Sequence, residues 1–201
     1  MEPNATGVHQ ALANRHIEAV VIGASAGGVE ALLGLLPVLP ADYAAAVIVV
    51  LHLPQDHDSA LAEVFRRRLR VPACEALDKQ RVAAGTVYFA AAGYHLLVEA
   101  DRTFSLSCEA PVQYSRPSID VLMDSAAQVY GAGLAAILLT GANSDGAEGL
   151  AAVKESGGLT VVQDPVGAAV RTMPAAAIER QAPDLVLSLP DIRKLLQELN
   201  R

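Results

Sequence analysis

The sequence is poor in cysteine and aromatic residues, and each shortage excludes a class of protein. Of 201 residues, two are cysteine, none is tryptophan and 4% are aromatic. The isolated Cys74 and Cys108 form neither a disulfide framework nor a metal-binding cluster, so we expect free thiols, no metal site and a reducing cytoplasmic setting. No apolar run reaches the roughly 20 residues that span a bilayer, and no secretory signal is visible, so membrane insertion is not expected.

Basic charge is also scarce. The net charge is -7 and only 18% of residues are charged. A nucleic-acid-binding surface is basic, and a peripheral protein of anionic membranes carries basic clusters, so neither class of partner is expected. What the chain has instead is 52% hydrophobic residues, which is ample for the core of one domain of this length.

Apolar strand-like runs alternate with helical patterns along most of the chain. Strands are predicted at 17–23, 45–51, 134–140, 159–163 and 185–189. Helices are predicted at 27–36, 60–69, 119–130, 147–156, 174–180 and 191–199. Continuous apolar runs are typical of parallel strands that are covered on both faces. The alternation therefore predicts an α/β fold with a doubly wound, mostly parallel sheet and helices on both faces.

Two segments depart from this alternation. Between residues 71 and 108 the strand-like pieces are short, and Asp101-Arg102 marks a hairpin turn, so we expect a small antiparallel β-hairpin excursion from the sheet. Residues 1–16 are polar and mixed, and are expected to be an N-terminal tail or a linker remnant. Residues 17–201 form the predicted domain.

The turn after the first strand is the strongest local signal. Gly23-Ala24-Ser25-Ala26-Gly27 has the G-x-S-x-G form of a nucleophile elbow, in which a sharp turn exposes the serine hydroxyl. A phosphate- or nucleotide-binding turn and a plain strand-to-helix connection are the alternatives. A dinucleotide fingerprint would need glycine at position 25, and the Gly-Lys-Ser/Thr of a Walker A loop is absent from the sequence, which weakens the nucleotide interpretation.

Three polar residues follow three predicted strands: Ser25, His52 and Asp145. In open α/β sheets, ligands bind at the carboxyl ends of the strands. These residue types can serve there as nucleophile, general base and the acid that orients the base. Alternatives remain: Asp145 could cap the helix beginning near Gly146, His52 could bond a backbone carbonyl, and His57 is a rival base. The chain order Ser, His, Asp differs from the Ser, acid, His order of α/β-hydrolases, which disfavours an ordinary lipase or esterase.

Several short motifs follow one another along the chain from Ile17 onward. They are Ile22–Gly28, Leu51–Pro54, Arg116–Asp120, Leu139–Gly141 with Asp145-Gly146, and Met173-Pro174 with Ala176-Ala177. Together they resemble the catalytic domain of the CheB-type protein-glutamate methylesterases of bacterial chemosensory systems. The resemblance implies Ser25 as nucleophile, His52 as base and Asp145 as orienting acid, in agreement with the interpretation from the residues themselves.

The resemblance also implies the surroundings of the site. The oxyanion donors would be the backbone N–H groups of Ala26 and Ala142, where family members usually have methionine at the second position. Tyr114, Ser115 and Arg116 match the family's loop beside the active site and are the candidates for a substrate groove. Arg116 could meet an acidic receptor helix or could anchor the loop.

The implied reaction is hydrolysis of glutamate γ-methyl esters on chemoreceptor cytoplasmic helices, without a cofactor. Some relatives also deamidate receptor glutamines. Family members usually carry an N-terminal receiver domain and a linker, and residues 1–16 are too short to hold that domain. Either the sequence is a fragment of a longer protein, or the protein is a stand-alone esterase that is controlled otherwise, for which a separate regulator or receiver protein is a candidate partner. A non-catalytic module that binds receptors or a signalling partner, and a serine esterase of this fold with another substrate, are the alternative functions.

Overall fold

The computed structural model describes residues 5–13, 15–52 and 61–200. The strands are β1 (Ala19–Ala24), β2 (Ala46–Leu51), β3 (Ala73–Glu75), β4 (Val87–Phe89), β5 (His95–Val98), β6 (Phe104–Ser107), β7 (Leu134–Leu138), β8 (Leu159–Gln163) and β9 (Leu185–Leu187). The helices are α1 (Ala5–Leu12), α2 (Gly28–Leu35), α3 (Leu61–Arg66), α4 (Ile119–Tyr130), α5 (Ala147–Glu155), α6 (Thr172–Arg180) and α7 (Leu189–Glu198). Short 3₁₀ turns follow α2 and α4, at Leu36–Val38 and Gly131–Gly133.

Seven of these strands form one parallel sheet in the order β3-β4-β2-β1-β7-β8-β9. β1 lies near its centre, and the chain builds outward from β1 in one direction before returning to β7 on its other side. Such a reversal of strand order is where ligands bind in open α/β sheets, at the carboxyl ends of the strands. The predicted doubly wound sheet is confirmed.

The central strands are buried on both faces, and their side chains alternate between two cores. Val20 and Ile22 of β1 pack with apolar residues of α2, α3 and α7. Ala19 and Val21 face the opposite side, where they pack with α4, α5, α6 and the β5–β6 pair. This alternation explains why the strand sequences are continuously apolar, as expected for parallel strands covered on both faces.

The region from 71 to 108 divides into two parts. β5 and β6 form the predicted antiparallel hairpin, with Arg102 in its turn at a φ of 63°. The short strand-like pieces before the hairpin were expected to belong to the same excursion, but β3 and β4 do not. They pair parallel with each other and with β2, through Ala73↔Val87 and Val47↔Val87, and so extend the main sheet.

Both ends of the described chain are helical. Within the segment predicted as a tail or linker remnant, residues 5–12 form α1, whose Val8, Ala11 and Leu12 pack against the core; the assignment of residues 1–16 as a tail or linker stays a prediction. α7 begins at Leu189, before the predicted 191, because the Ser188 hydroxyl caps it by accepting a hydrogen bond from the Asp191 N–H. In the described ranges, every helix is too short or too polar to cross a bilayer.

Candidate active site

The sheet brings the first two candidate residues to adjacent strand ends. β1 and β2 are paired in register so that Ala24 lies beside Leu51, the last residue of each strand. Ser25 and His52 occupy the next positions, and the His52 N–H donates to the Ala24 carbonyl at 3.0 Å. β7 pairs with the other side of β1, so the loop that carries Asp145 opens at the same edge of the sheet.

The turn around Ser25 is held by its backbone. The Ser25 N–H donates to the Thr140 carbonyl at 2.9 Å, and the Gly28 N–H donates to the Ser25 carbonyl at 2.7 Å. Gly27 has a φ of 80°, a left-handed conformation that favours glycine. A Cβ atom at Gly27 would lie 2.6 Å from the Cβ of Ala169. The second glycine of the G-x-S-x-G motif is therefore required both by conformation and by space.

The first glycine of the motif has a different purpose. Gly23 lies within β1, and a Cβ atom there would overlap the side chain of Ile119, the first residue of α4. The missing side chain lets the N-terminus of α4 approach the end of β1. That approach matters because the residues that hold Asp145 lie at this helix end.

Thr140 lies between the turn that carries Ala26 and the loop that carries Ala142, the two candidate oxyanion donors, and contacts the first through its side chain. Its hydroxyl donates to the Ala26 carbonyl at 2.8 Å and accepts from the Val170 N–H at 2.9 Å, which ties the Ser25 turn to the loop after β7. Within the described part of the chain, the N–H groups of Ala26 and Ala142 donate to no acceptor. Both residues are exposed. The two N–H groups therefore stay candidates for the oxyanion donors.

Asp145 is fully buried and held by the start of α4. Its Oδ1 accepts hydrogen bonds from the Ser118 hydroxyl at 2.8 Å and the Asp120 N–H at 3.0 Å. Its Oδ2 accepts from the Ile119 N–H at 2.7 Å and lies 2.8 Å from Nε2 of His52. The carboxylate thus accepts from the N-terminus of α4 rather than from that of α5, the helix after Gly146.

These contacts decide the charge of Asp145. Burial alone would raise the pKa of this carboxyl, but the close contact with His52 and the hydrogen bonds from Ser118 and the backbone of Ile119 and Asp120 outweigh burial and lower it. The N-terminal end of the α4 dipole also favours a negative charge at this place. Asp145 is therefore a carboxylate at neutral pH and faces the imidazole of His52.

In His52 the nitrogen that faces the acid is Nε2, whereas in the chymotrypsin-type triad it is Nδ1. With Nε2 turned to Asp145, a neutral His52 carries its proton on Nε2, and Nδ1 has the free lone pair. Nδ1 lies 3.4 Å from the hydroxyl of Ser115, which also accepts a hydrogen bond from Asn143 Nδ2 at 3.3 Å. Among the described side chains, the contact to Nδ1 thus comes from Ser115 rather than Ser25. The rival base His57 lies outside the described residues.

The loop that carries the groove candidates is tightly anchored. Gln113 and Tyr114 both have positive φ angles, of 50° and 63°, and the Tyr114 side chain is fully exposed at the tip. The Ser144 hydroxyl donates to Gln113 Oε1 at 2.8 Å, which links the loop to the segment before Asp145. Ser115 therefore lies beside His52 in a loop of defined conformation.

Arg116 is turned back to its own loop. Its Nη1 donates to the carbonyl oxygens of Cys108 and Glu109, both at 3.0 Å. These contacts favour the anchoring alternative for Arg116 over a direct contact with a partner.

Sequence reasoning missed two buried groups behind the site. His95 accepts a hydrogen bond from the Ser118 N–H through Nδ1 at 3.2 Å, and its Nε2 lies 3.1 Å from the Ala110 carbonyl. Asp120, which the sequence placed only in the first turn of α4, is buried beside Asp145. A usable signal was the occurrence of ionisable residues at positions whose neighbours in the pattern are apolar.

The fold and the site together define a doubly wound α/β protein with Ser, His and Asp gathered at the carboxyl edge of its sheet. A family model described as CheB methylesterase matches residues 20–196, and the chain belongs to this family. A relative from Leptospira interrogans is 45% identical over 92% of this chain and 95% of its own length.

Two further similarities agree. The protein-glutamate methylesterase/protein-glutamine glutaminase 2 of Anaeromyxobacter dehalogenans is 40% identical over 92% of this chain and 54% of its own length. The crystal structure of the Thermotoga maritima CheB methylesterase catalytic domain superposes with a TM-score of 0.87 at 33% identity, over 91% of this chain and 98% of that one. The resemblance found in the sequence motifs is confirmed.

Proposed function

We propose that this chain hydrolyses glutamate γ-methyl esters on the cytoplasmic helices of methyl-accepting chemoreceptors, and that it does so in the cytoplasm. Family membership supports the reaction, because relatives carry the name protein-glutamate methylesterase. The observation that carries the proposal is the 2.8 Å contact between His52 Nε2 and Asp145, at a strand end adjacent to Ser25. A buried acid paired with a histidine, next to a half-buried serine in a tight turn, fits nucleophilic acyl transfer.

The proposed mechanism assigns one role to each group. Ser25 attacks the ester carbonyl while His52 takes its proton through Nδ1, and Asp145 stabilises the resulting imidazolium. The N–H groups of Ala26 and Ala142 hold the negative oxygen of the tetrahedral intermediate. His52 then protonates the departing methoxide, and methanol leaves. Water, deprotonated by His52, attacks the acyl-enzyme and releases the glutamate carboxylate and free Ser25. No cofactor enters any step.

The loop 112–116 would face the protein substrate. Tyr114 presents its whole ring to solvent beside the site, which suits a contact with the helix that carries the ester. The Ser115 hydroxyl contacts Nδ1 of His52, which is the atom that must take the proton of Ser25. We therefore infer that the Ser115 hydroxyl moves away from Nδ1 when the substrate is bound. Arg116 completes the groove as the anchor of the loop through its two carbonyl contacts.

A second activity at the same site is deamidation of receptor glutamines. The relatives' names include protein-glutamine glutaminase, and the chemistry differs only in the leaving group, which is ammonia instead of methanol. The same acyl-enzyme would be formed on Ser25. Release of ammonia from receptors with unmodified glutamines measures this activity separately.

The decisive experiment is methanol release from methylated receptor membranes by the wild-type protein and by Ser25→Ala. We expect the substitution to lower turnover about 10⁴- to 10⁶-fold, as for other triad nucleophiles. Ser156→Ala is the matched control, because Ser156 is exposed at the far end of α5 and its loss should leave turnover unchanged.

Other outcomes identify the alternative functions. Near-full activity of Ser25→Ala would refute the mechanism. Specific receptor binding without turnover would indicate a binding module. Hydrolysis of a small chromogenic ester, with none of methylated receptor, would indicate a serine esterase with another substrate. Labelling by a fluorophosphonate probe reports whether Ser25 is reactive at all.

A further inference from the structure

A second carboxyl group lies behind the Asp145–His52 pair. Asp120, in the first turn of α4, is only 9% exposed. Its backbone N–H donates to Oδ1 of Asp145, whereas His52 contacts Oδ2. Asp120 therefore adjoins the acid of the proposed triad on the side away from the histidine, and the mechanism above does not use it.

The side chain of Asp120 holds the backbone that carries Asp145. Its Oδ1 accepts hydrogen bonds from the Gly146 N–H at 2.8 Å and the Gly149 N–H at 2.7 Å. Gly146 directly follows Asp145, so this contact fixes the peptide on the C-terminal side of the acid. A Cβ atom at Gly149 would lie 2.9 Å from the Cα of Asp120, so α5 packs against α4 as closely as glycine allows.

The two acids thus cap each other's helices. Asp145, which precedes α5, accepts from the N-terminus of α4, and Asp120 on α4 accepts from the N-terminus of α5. Either helix end could be capped by a neutral serine or asparagine, which are common caps. Capping alone therefore does not require an ionisable group at position 120.

The charge of Asp120 depends on its neighbours. Burial, together with the nearby charge of Asp145, raises the pKa of Asp120 to about 6, against the opposing hydrogen bonds from Gly149 and Gly146. Among the described residues, the other titratable groups on the elements packed against α4 are His95 on β5 and Glu148, Lys154 and Glu155 on α5, and His52 lies on the far side of Asp145. Glu148 is exposed and paired with Arg180 at 2.7 Å, while β1 and β7 contribute apolar side chains.

We propose that Asp120 is a positioning residue for the Asp145–His52 pair, which holds Asp145 in place and whose ionisation strengthens His52 as a base. The proposal rests on the proposed function of that pair. Ionised Asp120 adds a second negative charge behind Asp145 and stabilises the imidazolium of His52. Protonated Asp120 instead donates a hydrogen bond to Asp145 and draws the carboxylate charge away from the histidine.

The first test needs no substrate. In the wild-type protein we expect the ring ¹⁵N shifts of His52 to titrate in two steps, the first coinciding with ionisation of the Asp120 carboxyl followed by ¹³C NMR. In Asp120→Asn, which keeps a side-chain acceptor, we expect one step with its midpoint lower by about 0.5 pH units or more, since a negative charge is lost. A single step, identical in both proteins, would overturn the proposal.

The second test measures the ester reaction across pH 5–9. Asp120→Asn should lower kcat about threefold at its plateau and move the acidic limb to lower pH, with KM nearly unchanged. Asp124→Asn is the matched control, because Asp124 lies one turn further along α4 and is exposed, so its profile should equal the wild type. A profile of Asp120→Asn equal to the wild type would contradict the proposal.

These measurements separate the possible failures. If neither methanol nor chromogenic ester is turned over, the proposed function fails, but the His52 titration still tests the coupling to Asp120. Thermal unfolding checks that Asp120→Asn is folded. If it is not, the wild-type titration alone decides, because a two-step curve supports the coupling and a single step refutes it.

Discussion

The turn that carries Ser25 and the loop that carries Asp145 meet at one edge of the sheet but are built in different ways. The Ser25 turn is fixed by main-chain hydrogen bonds to Thr140 and Gly28 and by the conformation of Gly27. Asp145 is fixed through its side chain, by three donors from the start of α4 that lie 25 to 27 residues earlier in the chain.

The reactive hydroxyl of Ser25 does not hold its turn together, whereas the carboxylate of Asp145 serves both the fold and the reaction. The Ser25 hydroxyl can be removed without disturbing any contact that forms the turn. The Asp145 carboxylate cannot be removed without leaving buried donors of α4 unpaired, which is costly. A substitution at the nucleophile should therefore affect only the reaction, whereas a substitution at the acid should affect both the reaction and stability.

Asp145→Ala should have the largest effect of the substitutions that test this difference. We expect it to lower turnover about 10⁴-fold and the free energy of unfolding by about 3 kcal/mol, because three donors and His52 lose their buried acceptor. Ser25→Ala, in contrast, should change the free energy of unfolding by less than about 0.5 kcal/mol. Urea unfolding of both variants measures the difference. Equal stability of the two would show that the α4 contacts to Asp145 contribute little to folding.

Gly27→Ala changes the Ser25 turn at its residue with a left-handed backbone conformation. Alanine at a φ of 80° costs about 1–2 kcal/mol, and its Cβ would also collide with Ala169. We expect a stability loss of about 2 kcal/mol in urea unfolding and about 100-fold lower turnover from a displaced Ser25.

Gly34→Ala, in the helix that follows Gly27, is the control for that substitution. Gly34 is exposed in α2, and a Cβ atom there meets no atom within 4 Å. Alanine should therefore stabilise the helix by up to about 1 kcal/mol and leave turnover unchanged. If Gly27→Ala were as mild as Gly34→Ala, the left-handed turn would not be what positions Ser25.

The same contrast explains what the sequence could predict. The parallel sheet, its hairpin and the family followed from local features: apolar runs, a G-x-S-x-G turn and short ordered motifs. The placement of Ser25 and His52 at the carboxyl edge of the sheet followed from the general rule for open sheets, whereas the adjacency of their two strands came from the structure. Such features depend on residues close together in the chain, so a single sequence displays them.

Features that depend on distant packing were not predictable in this way. Asp145 was expected, as an alternative, to cap the helix after Gly146, but it caps α4 because Gly23 lets that helix approach β1. The use of Nε2 by His52, the contact of Ser115 with Nδ1 and the burial of Asp120 arise from the same long-range approach. Periodicity does not encode the two contacts of His52, and for Asp120 it gave only an indirect signal, an ionisable residue at a position whose neighbours in the pattern are apolar.

Ser118→Ala and Ser188→Ala have the smallest expected effects, and together they test whether the Ser118 contact to Asp145 contributes to the reaction. Both serines cap helices, Ser118 through the Val121 N–H of α4 and Ser188 through the Asp191 N–H of α7. Each loss should lower the free energy of unfolding by about 1 kcal/mol. Only the Ser118 hydroxyl also donates to Asp145, so only Ser118→Ala should reduce turnover, by about tenfold. Paired urea-unfolding and methanol-release measurements test this. Equal turnover in the two variants would mean that the backbone donors of α4 position Asp145 without the serine.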